Sequence, residues 1–171
     1  VVPIHIHSRP FLQRLPGVLE DVKPQLLILC HGGNDFLRKT GEEAAAKNVR
    51  EMIRLARPEV RIVATEPAGA ALLSGAEFKP HKIQGWTPDF VPRVLNRSVP
   101  HEIVTVTDDE SIAASRALAS KEGIFCGISS GGNFAAALKV AEKAPEGSVI
   151  LTVLADTAER YLSTVLFEGI A

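Results

Sequence analysis

Short apolar runs alternate with segments of helical periodicity along this chain, and that alternation constrains its fold more than any other feature. Runs rich in β-branched residues and leucine are typical of strands buried in a parallel sheet. They occur at Val1 to Ile6, Leu26 to Cys30, Val60 to Thr65, Ile103 to Thr107 and Val149 to Leu154, with a briefer run at Ile124 to Gly127. We therefore predict an α/β fold: one doubly wound, mostly parallel sheet with helices on both faces, a three-layer Rossmann-like or flavodoxin-like arrangement.

Amphipathic spacing and capping residues place the helices between the runs. Residues Ala45 to Ala56 and Phe134 to Ala141 put their apolar side chains on one helical face. Thr107 and Glu110 have the spacing of a capping box, which predicts that a helix begins after Thr107. Gly123 suits the end of that helix, because glycine adopts the left-handed conformation common after a last helical turn.

The chain length limits the expected number of domains, and the net charge limits the expected classes of partner. A chain of 171 residues falls in the size range of one domain, so we expect residues 1–171 to form a single α/β domain, as a monomer or homodimer. The formal net charge is −1 and no block of like charges is present, so we expect neither nucleic acid nor membrane partners. A cytoplasmic location is expected. Cys30 and Cys126 end apolar runs, which favours buried free thiols.

Two glycine-rich turns follow predicted strands, at the position where open parallel sheets bind ligands. The first is His31-Gly32-Gly33-Asn34-Asp35 and the second is Gly127-Ile128-Ser129-Ser130-Gly131-Gly132. Hydroxyl groups and free backbone N–H groups converge in the second turn. The same residues also suit tight turns with helix N-caps, so both interpretations stay open. The candidate binding residues are Ser129, Ser130, Gly131, Gly32 and Gly33, and Asn34 is a candidate amide donor for an oxyanion.

The segment from Gln13 to Ala56 resembles the middle of SGNH-type arylesterases and lysophospholipase-like hydrolases. The resemblance rests on Arg-Leu-Pro-Gly-Val-Leu at 14–19 and Leu-Leu-Ile-Leu-Cys-His-Gly-Gly-Asn-Asp at 26–35. It implies that Asn34 helps to form an oxyanion hole. That family also needs a nucleophilic Ser in a Gly-Asp-Ser block and a late Asp-X-X-His pair, and this sequence has neither.

The segment from Val60 to Phe167 resembles the C-terminal part of cysteine synthase (O-acetylserine sulfhydrylase), a fold-type II pyridoxal phosphate (PLP) enzyme. Its motifs are Glu66-Pro67-Ala68-Gly69, Leu73-Ser74-Gly75, Pro80-His81-Lys82-Ile83-Gln84-Gly85, Gly123-Ile124-Phe125-Cys126-Gly127-Ile128-Ser129-Ser130-Gly131 and Glu159-Arg160-Tyr161-Leu162-Ser163-Thr164. The resemblance implies that Ser129 hydrogen-bonds the pyridine nitrogen of the cofactor. It also implies that the Ile83-Gln84-Gly85 loop borders the substrate.

Two elements of the cysteine synthase pattern are missing from this sequence. The first is the Ser-X-Lys-Asp-Arg-like motif with the lysine that binds the cofactor covalently. The second is the Gly-Thr-Gly-Gly-Thr phosphate loop. Lys79 and Lys82 are the lysines near the resembling loop, and we expect both to be solvated surface charges.

The two partial resemblances lead to the hypothesis of a chimera joined near Arg57-Pro58, with an esterase-like segment 1–58 and a cysteine-synthase-like segment 59–171. On this hypothesis the chain is an engineered or recombined α/β scaffold with no complete active site, no efficient catalysis and no cofactor, although noncovalent PLP binding is possible.

Several alternatives to the scaffold stay open. The first is a residual phosphate or PLP binding module, with a small anion at the Ser129 helix N-terminus. The second is a weak esterase that uses Asn34 with an unorthodox Ser and His, for which Ser8 with His5, His7 or His31 are candidates. A third is a fragment of a larger enzyme whose other segment supplies the missing lysine and phosphate loop. His5 and His7 would share one face of a strand, but no further ligand lies near them, so we expect no metal site.

Overall fold

The structure is a computed structural model that describes residues 2–5, 16–21, 23, 26–29, 59–87, 89–91 and 95–170, with the backbone alone at 2–5 and 26–29. The strands are β1 (Val2–His5), β2 (Leu26–Leu29), β3 (Arg61–Pro67), β4 (Glu102–Val106) and β5 (Ile150–Leu154). Helix α1 covers residues 16–21, α2 covers Asp108–Glu122 and α3 covers Ile128–Ala141, with 3-10 turns at Ala68–Ala70 and Ala158–Tyr161.

The strands form one sheet in the order β1-β5-β2-β3-β4, and each neighbouring pair is parallel. Leu26 of β2 is paired with Arg61 of β3 on one side and with Ile150 of β5 on the other. The order is not sequential, because β5 inserts between β1 and β2. The prediction of a doubly wound parallel α/β sheet is confirmed.

Strand β5 lies in the interior of the sheet and is buried along its full length. Neighbours on both edges and packed layers above and below leave no solvated face, which explains why its sequence is a continuous apolar run. Helix α3 covers one face of the sheet, where Ala137 and Val140 contact Val63 of β3 and Ile150 of β5. The amino end of α3 is thereby fixed relative to the carboxyl ends of the strands.

Helix α2 has the termini that its sequence predicts. The Thr107 hydroxyl accepts a hydrogen bond from the Glu110 N–H at 3.2 Å, and the Glu110 carboxylate accepts one from the Thr107 N–H at 2.8 Å. Gly123 ends the helix with a φ of 67°, in the left-handed region. The predicted capping box and the predicted stop are confirmed.

Two sequence predictions differ from the structure around α3. The run Ile124 to Gly127 forms no strand of the sheet; Cys126 alone makes an isolated antiparallel bridge, to Thr157. The helix begins at Ile128, six residues before the predicted apolar face starts at Phe134. Glycines near its start allow close packing on α2, and this tertiary contact outweighs their low helix propensity. The predicted helix at Ala45 to Ala56 lies outside the described residues.

The stretch between Pro67 and Pro100 covers the core where it is described. Glu66 at its start is 1% exposed, and its carboxylate accepts hydrogen bonds from the N–H groups of Leu73 and Ser74 at 2.8 and 3.1 Å. These bonds fold the chain back over the end of β3. Further on, Ile83 and Trp86 are buried against α2 and α3. In the described part of the chain, no helix is long and apolar enough to cross a membrane.

Candidate functional site

The amino end of α3 lies against the segment that follows β5. The Gly127 N–H donates to the carbonyl oxygen of Asp156, and the Ala158 N–H donates to that of Phe125, both at 3.3 Å. Gly127 is the N-cap of α3 and has extended backbone angles, φ −76° and ψ 174°. The helix therefore starts at the carboxyl end of β5, the edge at which open parallel sheets bind ligands.

Ser129 is the residue of this turn whose side chain is available to bind a ligand. It stands in the first turn of α3 and is 7% exposed. No hydrogen bond joins its hydroxyl to another described residue, and the hydroxyl is not among the fully buried atoms that lack a partner, so it is accessible to a ligand. The first N–H groups of a helix also lack partners within the helix and add a partial positive charge. This arrangement can bind an acceptor atom or an anion.

Ser130 and Gly131 face the protein interior. The Ser130 hydroxyl accepts a hydrogen bond from the Ala155 N–H at 3.0 Å, so it joins α3 to the loop after β5. A Cβ atom at Gly131 would lie 2.1 Å from the Ser111 carbonyl oxygen, so only glycine allows α3 to approach α2 this closely. The role of both residues as direct cofactor ligands stays a prediction.

Asp156 and Tyr161 complete the wall beside the N-cap. The Tyr161 hydroxyl donates a hydrogen bond to the Asp156 Oδ2 atom. Burial, together with the hydrogen bond to Asp156 and the negative charge of that carboxylate, raises the pKa of Tyr161. The phenol therefore stays protonated and keeps donating at any ordinary pH.

Cys126 precedes the turn and is unsuited to nucleophilic chemistry. It is a free cysteine and 1% exposed, which confirms the predicted buried thiol. Burial raises the pKa of the thiol to about 11, and the negative charge of Asp156 adds to this effect. Since the thiolate is the reactive form, Cys126 is inert near neutral pH. The Ser115 hydroxyl donates to its carbonyl oxygen at 2.6 Å, which is a structural contact.

The predicted residues of the first turn, Gly32, Gly33 and Asn34, lie outside the described residues. The same holds for Cys30, the side chain of His5, and His7, Ser8 and His31. Strands β2 and β5 are adjacent and parallel, so they end at the same edge of the sheet. Lys79 and Lys82 are exposed, as expected for solvated charges. Among the described residues no group of three potential ligands could hold a metal ion.

Sequence reasoning did not single out Asn133 or the Asp156–Tyr161 pair. Asn133 is fully buried and its side-chain amide donates to the Val153 carbonyl oxygen at 2.8 Å. A polar residue on the apolar face of a predicted helix was the available signal. Tyr161 lies in a motif of the family resemblance, but its bond to Asp156 has no local sequence signal, because it depends on the 3-10 turn at Ala158–Tyr161.

Comparison with known proteins shows which family the chain is similar to. Residues 43–156 match the family model described as pyridoxal-phosphate dependent enzyme. O-ureido-L-serine synthase from Streptomyces lavendulae is 52% identical over 135 residues, which are 79% of this chain and 42% of that protein. Cysteine synthase from Staphylococcus aureus (strain Mu50) is 39% identical over 146 residues, 84% of this chain and 47% of that protein.

Solved structures of the same two kinds of enzyme are also similar to this chain. The crystal structure of O-ureido-L-serine synthase aligns with a TM-score of 0.78 at 44% identity, over 92% of this chain and 48% of that one. Cysteine synthase from Entamoeba histolytica aligns with a TM-score of 0.76 at 27% identity, over 96% of this chain and 47% of that one. The chain thus spans about half the length of the relatives it matches.

These matches correct two predictions. The engineered or recombined scaffold without efficient catalysis is wrong, because the relatives are natural PLP-dependent synthases. The expectation of no cofactor is wrong for the same reason. The comparisons give no support for a chimera or for an SGNH-type segment, and the family match already begins at residue 43, inside the range 13–56. A strand followed by a glycine turn and a helix recurs in unrelated α/β proteins, so that local likeness misled the interpretation.

Proposed function

The chain belongs to the family of pyridoxal-phosphate dependent enzymes, and we propose on that premise that it carries the side of the cofactor site that faces the pyridine ring. We further propose that the whole protein is a synthase of the kind represented by O-ureido-L-serine synthase and cysteine synthase. PLP supplies an electron sink for negative charge that develops on an amino acid substrate.

The observation that carries this proposal is the accessible hydroxyl of Ser129 at the amino end of α3, which bonds no other described residue. A hydroxyl can donate to or accept from a ring nitrogen. Because Ser129 is neutral, it can hold the nitrogen without adding a charge beside the ring. Ser130 cannot take this place with its side chain, since its hydroxyl is bonded to the Ala155 N–H. The residues present therefore fit the pyridine ring of the cofactor.

The remaining parts of the site contribute position and shielding. The Asn133 side chain joins α3 to β5 by a hydrogen bond to the Val153 carbonyl oxygen. This bond helps to set the position of Ser129 relative to the edge of the sheet. The loop that contains Ile83, Gln84 and Gly85 resembles the substrate loop of the relatives. Ile83 is fully buried and Gln84 is exposed. Ile83 therefore anchors the loop in the core, and Gln84 is available at the surface for contact with a substrate. An anchored loop keeps water away from a bound substrate.

The covalent attachment and the phosphate contacts of the cofactor need residues that this sequence does not show. Neither the lysine motif nor the phosphate loop of the relatives is present in it. Lys79 and Lys82 are exposed, so we assign neither of them to the cofactor. We propose that these functions lie in a part of the enzyme beyond these 171 residues, because the chain corresponds to 42% and 47% of the two relatives.

Titration of the apo form of the whole enzyme that contains this chain tests the proposal, with cofactor absorbance and the thermal midpoint as readouts. Replacing Ser129 by Ala should weaken PLP binding about fivefold, the loss of roughly one net hydrogen bond. Ser120→Ala, at an exposed position of α2, is the matched control and should bind as the wild type does. A whole enzyme that does not bind PLP, or a Ser129→Ala variant of it with unchanged affinity, would contradict the proposal. Inorganic phosphate in the same titration tests the small anion predicted at this helix N-terminus.

A further inference from the structure

We infer that Asp156 and Tyr161 act as a positioning pair for Ser129, holding the N-cap of α3 so that the serine hydroxyl meets the cofactor. The inference rests on the proposed function and deepens it. Neither residue would touch the reacting atoms, so their effect passes through Gly127 and the first turn of the helix. The contacts that support it come from three sides of the Asp156 carboxylate.

The first contact is the bond to Tyr161, whose hydroxyl donates to Asp156 Oδ2. Tyr161 is 7% exposed and belongs to the same buried cluster as Ile128. The Thr164 N–H and the Thr164 hydroxyl both donate to the Tyr161 carbonyl oxygen, at 2.9 and 2.7 Å. The phenol ring therefore has a fixed place in the core, and it fixes the carboxylate in turn.

The second contact is a close approach to the N-cap residue. A Cβ atom at Gly127 would lie 2.4 Å from Asp156 Oδ1 and 2.5 Å from Tyr161 Cε2. The pair thus forms a wall directly against the Gly127 backbone, and only a residue without a side chain fits there. The Gly127 N–H also donates to the Asp156 carbonyl oxygen at 3.3 Å. Movement of Asp156 would therefore move the start of α3.

The third contact is between Asp156 and Ser130, the residue that follows Ser129. Ser130 is fully buried, and its hydroxyl lies 3.5 Å from Asp156 Oδ1 and accepts from the Ala155 N–H at 3.0 Å. Ile128, on the near side, is fully buried in the core cluster. Ser129 is thus the residue between two fixed neighbours. Since its own hydroxyl has no partner in the described protein, its direction is set by the backbone that these neighbours hold.

The experiment removes the phenol hydroxyl while keeping the ring. Tyr161→Phe should weaken PLP binding about fivefold and speed hydrogen exchange of the Gly127 amide by about tenfold in the free chain. Ser111→Ala is the matched control, because it also removes one buried hydroxyl, which donates to the Thr107 carbonyl oxygen at 2.9 Å at the start of α2. It should lower the thermal midpoint without changing PLP affinity or the exchange of Gly127.

A pair of substitutions at Asp156 separates positioning from general stability. Asp156→Asn keeps an acceptor for the phenol and should retain most of the PLP affinity, whereas Asp156→Ala should match Tyr161→Phe. If Tyr161→Phe binds PLP as the wild type does while Ser129→Ala binds weakly, the positioning role is overturned and the proposed function stands. If Ser129→Ala also has no effect, or the wild type does not bind, the proposed function fails and this inference falls with it.

Discussion

The side-chain amide of Asn133 donates a hydrogen bond of 2.8 Å to the carbonyl oxygen of Val153 and thereby joins α3 to β5. The Asn133 Oδ1 atom also accepts a hydrogen bond from the Thr65 hydroxyl of β3 at 3.3 Å. One buried side chain thus links a helix to two strands of the sheet. The amino end of that helix carries Ser129, so the same link determines where the candidate cofactor contact lies.

Asn133→Ala should lower the free energy of unfolding by about 2 kcal/mol, because it breaks bonds inside the core and leaves polar groups unpaired. Asn96→Ala is the control. Asn96 is exposed, and among the described residues its side chain bonds only Ser98, so its loss should change stability by less than about 0.5 kcal/mol. Urea unfolding of both variants measures the difference. Equal stabilities of the two variants would show that the Asn133 link is not important for the fold.

Gly131→Ala should be strongly destabilising. The added Cβ would lie 2.1 Å from the Ser111 carbonyl oxygen and 2.7 Å from the Ser115 backbone nitrogen. Because both are backbone atoms, the clash cannot be relieved by a change of side-chain rotamer. Separating α2 from α3 should cost about 3 kcal/mol. Gly17→Ala, where nothing lies within 4 Å of the new atom, should be neutral or slightly stabilising in a helix. Thermal unfolding measures both, and a Gly131→Ala variant as stable as the wild type would refute the close helix packing.

The ion pair between Glu110 and Lys139 should make stability depend on pH in the acidic range. Burial alone would raise the pKa of Glu110, but hydrogen bonds from Lys139 and from the Thr107 N–H outweigh burial and lower this pKa from the ordinary value of a glutamate. A lowered folded pKa means that the contribution is present above the unfolded pKa and is lost as pH falls through the folded value. Both side chains are more than a third exposed, so the contribution is modest.

Glu110→Gln should therefore reduce the fall in the thermal midpoint between about pH 5 and pH 3. Glutamine also suits this position of a capping box, so the helix start should persist. Glu122→Gln, in the last turn of the same helix, is the control and should keep the wild-type pH dependence. Identical pH profiles for Glu110→Gln and wild type would rule out a contribution of this ion pair.

Cys126 should resist thiol reagents in the folded protein. Its pKa of about 11 and its burial leave almost no accessible thiolate at pH 8. In a Cys30→Ser background, labelling with an aromatic disulfide reagent should be at least about a hundredfold slower in buffer than in urea, where the chain is unfolded. Prompt labelling of the native chain would mean that the segment beside Gly127 opens readily.

Local patterns in the sequence predicted most of the sheet. Apolar runs such as Val149 to Leu154 match the strands within one or two residues, because burial on both faces requires a continuous apolar sequence. Thr107, Glu110 and Gly123 act within one helical turn, so their capping roles could be predicted. The run Ile124 to Gly127 looked the same locally, but its place beside Thr157 is decided by a tertiary contact.

The candidate site was predictable only in part. Family resemblance pointed to Ser129, which the structure shows as a largely buried residue in the first turn of α3. Ser130 has the same chemistry and the same local setting, yet its hydroxyl turns to Ala155, 25 residues away. Such a choice between neighbouring serines depends on how the loop after β5 packs, which no pattern in the sequence records.

The central claim is that PLP binds at the amino end of α3, and amide chemical-shift mapping tests it most directly. Addition of PLP to the isotopically labelled whole enzyme should shift the amide signals of Gly127 to Gly131 most strongly within this chain, with smaller shifts at Asp156. Shifts confined to another surface, such as the cleft between Leu162 and Glu168, or no shifts at saturating PLP, would contradict the account.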